Sequence, residues 1–231
     1  MNPLVIAIVT SALAAFVVAC GLKLIDIGSS LARPIVKYGP VAACLVGVIA
    51  TFNFLLIDTL DLISAEYTLL ISAISLVAFG LIYLIFDILR RCLLIPKRAK
   101  SRKSGRVSWL SVACIFGLDL ASGIMAGAVA GVSFALNTGT GITVVCALIL
   151  LILDRKIQLI KRYQTAKLSR GENIAALSLT LIAFPVAASL ICSISRNYYF
   201  AMGAFLAVAL GYLLCLSAIK AVEIVKTLRK S

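Results

Sequence analysis

Asp119 sits inside the apolar run 109–136, which holds no other charged residue. An ionisable group in such a run is costly, and it faces a bundle interior or a water-filled path. It lies about ten residues past Trp109, roughly 15 Å along a helix and so near the middle of a bilayer. Two roles suit it: a hydrogen bond to a neighbouring helix, or the centre of an ion or substrate path. Asn53, Asp58, Asp61 and Glu66 lie apart from it, between Lys37 and Arg90, where no Lys or Arg interrupts. An acidic mouth free of bases concentrates cations. The same pattern also arises in a solvated loop that topology has depleted of basic residues.

One turn beyond Asp119 come Gly123, Gly127 and Gly131, with Ser122, Ala126 and Ala130 as a second small ridge beside them. Small residues at a spacing of four let another helix approach the backbone closely. Gly123, Gly127 and Gly131 are therefore expected to pack helices, with the Asp119 carboxylate pointing into the seam. Pro185 falls inside the run 174–194 and removes one backbone donor, leaving the Leu181 carbonyl without its usual partner. It marks a kink, or a broken helix of the kind that lines transporter sites.

Other chemistries are excluded by what the chain lacks. There is no histidine, so imidazole catalysis and imidazole metal ligation do not arise. No phosphate-binding glycine loop appears, and the serines have no base to activate them, so no enzyme activity is expected. The seven cysteines never form a Cys-x-x-Cys pair, and six stand singly in apolar runs as small hydrophobes.

These residues need a membrane to position them. Of 231 residues, 62% are hydrophobic and 13% charged, and the mean hydropathy is +1.13. That leaves too little polar surface for a soluble globule. Runs near 3–22, 34–57, 68–89, 109–136, 141–160, 174–194 and 198–219 are candidate spans, each to be compared with the roughly 20 residues that cross a bilayer. The expected fold is an all-α polytopic bundle of about seven spans, a single membrane domain over residues 1–231. The fifth run is short. Residues 142–153 cover only about 18 Å as a helix, so the span either continues through Asp154, Arg155 and Lys156, with those side chains snorkelling, or begins around Thr138–Gly141.

The net charge of +13 is distributed unevenly. When the connections are assigned alternately to two sides, all but one of the 22 Lys and Arg fall on one side, Lys156 among them. Arg196 stands alone on the other. The positive-inside rule makes the basic side cytoplasmic, with the N-terminus outside and the C-terminus inside. Residues 3–22 lack a basic leader and are read as a retained span. Ser169 and Glu172 have capping-box spacing and mark a helix start. The basic stretches 97–106 and 154–170 suit anionic lipid headgroups. They carry no nucleic-acid motif, and no nucleic-acid partner is expected.

The order of features resembles the ZIP family of divalent-metal transporters. The residues that carry the likeness are Phe86–Arg90 with the polar loop after them, Gly127–Phe134, Ser169–Leu190 and Phe200–Ala204. The resemblance implies metal coordination by two His-x-x-Pro-Glu-Gly motifs. The chain departs from both. Ser122 and Ala126 stand at the histidine and glutamate positions of the first, and Asp154 and Gln158 at those of the second. An eighth span is also missing. Asp119, Asp154 and Gln158 are the metal-ligand candidates that remain.

These features lead to an expected transporter-like protein of a bacterial cytoplasmic membrane, moving a small cation, a divalent metal included, or a polar solute. Asp119 is central, with Asn53 near the path and Asp58 and Asp61 at its entrance. No cofactor is expected, and a divalent cation enters only as substrate. The rival reading is a non-transporting subunit or scaffold that packs on a partner, or on copies of itself, and docks lipid or a cytoplasmic component through its basic loops.

Overall fold

A computed structural model of the chain describes residues 3–26, 32–50, 52, 56–94, 109–165, 170–198 and 201–228. Among these residues there is no strand. The helices are α1 (Pro3–Asp26), α2 (Ala32–Ala50), α3 (Leu56–Leu60), α4 (Ala65–Leu94), α5 (Trp109–Leu136), α6 (Thr138–Thr165), α7 (Arg170–Asn197) and α8 (Met202–Leu228). Five of the described stretches are long and apolar enough to cross a membrane: Pro3–Leu22, Ala65–Leu89, Ala113–Leu136, Ser178–Asn197 and Met202–Val222. The protein is thus all-helical and of membrane-spanning character. Large apolar side chains such as Leu13, Phe16, Leu69, Ile74 and Leu81 lie exposed along α1 and α4. Such an exterior suits hydrocarbon rather than water.

In the run 34–57, α2 reaches Ala50 and the short helix α3 begins at Leu56, with residues 51 and 53–55 outside the described ones. The fifth run resolves into one long helix that takes both of the extensions weighed above. α6 starts at Thr138, capped by the Asn137 Oδ1 atom accepting the Gly139 N–H at 2.9 Å. It then runs through Asp154, Arg155 and Lys156 to Thr165. Its apolar part, Thr138–Leu153, is too short to span alone. Its 28 residues together reach about 42 Å. α7 likewise runs unbroken past Pro185.

The most extensive contact in the bundle joins α5 to α7, followed by α4 with α8. The α5–α7 register is set by glycine. A Cβ added at Gly123, Gly127 or Gly131 would meet the carbonyl oxygen of Thr180, Phe184 or Ala188 at 2.6, 2.4 or 2.5 Å. Both series advance by four in the same direction, so α5 and α7 run parallel with their backbones in contact. α6 returns between them in sequence and packs on α5, α1 and α2. The core is built where α5, α6, α7 and α8 converge, around Phe134, Val144, Leu148, Phe184, Ala188, Leu206 and Leu213. α8 is the most enclosed of the five apolar stretches and α4 the least.

Candidate functional site

The α5–α7 seam brings Asp119 against two polar residues of other helices. Asp119 is 0% exposed, and Lys156 of α6 and Thr180 of α7 are each 2% exposed. The Lys156 ammonium donates a hydrogen bond to the Thr180 hydroxyl at 2.7 Å. That hydroxyl in turn donates to the main-chain carbonyl of Asp119 at 2.7 Å. The Ser122 hydroxyl donates to the same carbonyl at 2.8 Å. The Asp119 carboxylate lies 3.9 Å from Lys156 Nζ, an ion pair enclosed by protein.

Each member occupies its place for a local reason. Gly123 follows Asp119 by one helical turn, and its missing side chain admits the α7 backbone at Thr180. That close approach brings the Thr180 hydroxyl within reach of the Asp119 carbonyl. Lys156 extends the buried face of α6 that carries Val144 and Leu148, at successive multiples of the helical repeat. Asp119 and Thr180 each lie about ten residues after the start of their helices, and Lys156 about nine before the end of its own. All three therefore sit roughly 15 Å from one end of the bundle.

Opposite charges 3.9 Å apart attract by about 4 kcal/mol at an effective dielectric of 20. Loss of hydration offsets much of that gain, so the pair adds little net stability while breaking it is costly. Chemically, it is a neutral unit whose carboxylate accepts a cation only in competition with an ammonium already present. Among the described residues, no group of three Cys, Asp or Glu stands ready to hold a metal ion.

Other sequence candidates fall elsewhere. Asp58 accepts a hydrogen bond from the Thr140 hydroxyl at 2.5 Å, tying α3 to the first turn of α6. Asp61 is exposed just beyond α3. Thr140 and Lys156 are 16 residues apart on α6, or about 24 Å, so Asp58 and Asp61 are not brought together with Asp119. Asn53 lies outside the described residues, as do the side chains of Asp154 and Gln158 and the loop 97–106. Gly123, Gly127 and Gly131 lie on the α7 seam, and Pro185 follows Phe184 at the level of Gly127. Lys156 requires a correction: grouped by sequence with the cations of the basic side, it is buried inside the bundle because its pair with Asp119 compensates the charge.

Sequence reasoning found Asp119 but missed Lys156 and Thr180. The helical repeat from Val144 and Leu148 to Lys156 was the available signal for the lysine. Nothing in sequence singled out Thr180, whose role depends on the α5–α7 register. The chain matches no protein-family model, no curated protein and no solved structure.

Proposed function

We propose that the chain is a multi-pass membrane transport protein that moves a small cation or polar solute through a path centred on Asp119. The observation that carries this reading is the enclosed Asp119–Lys156–Thr180 unit, contributed by three helices of the bundle. Ionisable groups are retained at such depth mainly where they handle ions, protons or polar substrates. The seven-span arrangement, with α3 as an addition, the outside N-terminus and a bacterial inner-membrane location belong to the same proposal. The one-sided distribution of Lys and Arg supports the orientation.

A monovalent substrate fits this unit better than a divalent one. Lys156 already neutralises Asp119, and hard divalent cations take about six oxygen ligands. The metal version drawn from the ZIP resemblance requires Asp154 and Gln158 to join Asp119. The scaffold reading loses one of its surfaces, because the Gly123, Gly127 and Gly131 ridge is occupied by α7 of the same chain.

Uptake of a panel of monovalent and divalent cations and small polar solutes into proteoliposomes tests the proposal. Saturable flux of at least one monovalent or polar solute, absent in Asp119→Asn, is expected. Flux confined to divalent metals would return the metal version, and no flux from folded protein would overturn transport.

A further inference from the structure

We propose that the crevice between the α5–α7 and α4–α8 helix pairs binds a single phospholipid, with one acyl chain lying in the crevice and the phosphate held by Arg196 at its mouth. The inference stands independently of transport through Asp119.

The crevice exists because two tight helix pairs meet loosely. Gly123, Gly127 and Gly131 seat α7 on α5. Gly211 does the same for α8 on α4, where an added Cβ would meet the Ser72 carbonyl oxygen at 2.6 Å. Among the described residues, contacts between the two pairs are sparse by comparison. The space left between them has a volume of about 430 Å³. Its walls include Ala128 and Val132 of α5, Ile191 and Ile194 of α7, and Phe205 and Val208 of α8. That size falls within the roughly 300–1,000 Å³ of ligand-binding sites. Ile194, Phe205 and Val208 are exposed, so the crevice opens on the flank of the bundle, where the medium is hydrocarbon. Left empty, such walls forgo the dispersion contacts that a chain supplies.

Its depth matches one leaflet. The deep end lies at Phe79 and Met125, where the Phe79 ring stands edge-on to Tyr212 with centroids 5.0 Å apart. Met125 precedes the end of α5 at Leu136 by eleven residues, about 16 Å, and half of a hydrocarbon core is about 15 Å. A chain entering beside Leu136 therefore ends near the midplane. The mouth, in contrast, is polar. The crevice face of α7 carries Ile191, Ile194 and Ser195. Tyr198 follows at the helical repeat, its N–H donating to the Ile194 carbonyl at 3.2 Å. Arg196 stands beside Ser195 and is exposed, and it is the one cation that the alternation of spans leaves at this end. A guanidinium offers five N–H donors in a fork that fits phosphate, and a tyrosine ring favours the headgroup level. An apolar slot one leaflet deep, with a cation at headgroup level, fits a phospholipid. A second copy of the chain would cover the slot without using Arg196.

Native mass spectrometry of the full chain in detergent, titrated with dioleoylphosphatidylglycerol, tests the site. Wild type is expected to take up one such lipid before any weaker, non-specific binding begins. Arg196→Gln is expected to bind it about fivefold more weakly, the contribution of one cation to an anionic headgroup. Ala128→Phe, whose ring fills the crevice from α5, is expected to lose it. Val208→Phe fills the same space from α8 and serves should Ala128→Phe fail to fold. Dioleoylglycerol, which has the same chains and no phosphate, is expected to bind wild type and Arg196→Gln alike. Absence of a bound lipid in wild type overturns the proposal, as does undiminished binding in a folded crevice-filling variant. An Arg196→Gln that binds the phospholipid as wild type does overturns the headgroup assignment. A wild-type dimer that Ala128→Phe separates would give the crevice to a second copy and overturn the lipid site.

Discussion

Asp119→Asn is expected to destabilise the folded protein by about 3–5 kcal/mol, the cost typical of removing one partner from a buried charge pair. On melting, that corresponds to a loss on the order of 10 °C for a chain of this size. The reason lies in what stays behind: an ammonium 2% exposed, 3.9 Å from a group that no longer carries charge. Lys156→Met is expected to cost a similar amount, because it strands the other charge in the same enclosed place. Combining Asp119→Asn with Lys156→Met leaves no charge to be stranded. The double variant is therefore expected to be more stable than Asp119→Asn alone and close to wild type. Thermal unfolding of the four purified proteins measures the coupling directly. Additive losses would mean that the two charges do not interact in the folded chain.

Two glycine-to-alanine substitutions on one helix are expected to act in opposite directions. A Cβ at Gly127 would stand 2.4 Å from the Phe184 carbonyl oxygen and 2.7 Å from the Ala187 Cβ. Two of the atoms it meets are backbone or directly attached to it, so α5 and α7 must separate. Overpacking of this kind costs about 1–3 kcal/mol, and Gly127→Leu is expected to prevent the seam from forming. At Gly117 an added Cβ meets nothing within 4 Å. Gly117→Ala is expected to stabilise α5 by up to about 1 kcal/mol through helix propensity alone. The comparison holds helix and chemistry constant and varies only the neighbour. Equal melting temperatures for the two alanine variants would show that the glycine ridge does not seat α7. The same logic ties the ridge to the site, since Gly123 admits the backbone of Thr180.

Asp119 could be singled out from sequence because a lone carboxylate in a long apolar run has few uses. The glycine spacing could be read as well, since a period of four defines a helix face without knowledge of the partner. The identity of that partner was not legible. Nothing local to Gly127 names Phe184, which lies far along the chain and meets it only after α6 has returned. Lys156 was misplaced for a physical reason. In sequence it stands beside Arg155, near Lys161 and Arg162, and a run of cations after a short apolar stretch reads as a surface. A helix turns each residue by about 100°, so one cation of such a run can face the bundle. The side chains of Lys156 and Ile157 are both buried.

The most direct test of the account asks whether the charge pair carries function or merely packs. Asp119→Asn combined with Lys156→Gln keeps the volumes close to those of wild type and strands no charge. Solute uptake by this folded, charge-free pair, reconstituted beside wild type, separates activity from stability. Transport through Asp119 predicts saturable flux in wild type and its loss in the charge-free pair at equal amounts of folded protein. Wild-type flux from the charge-free pair would contradict it and reduce Asp119 and Lys156 to a packing element.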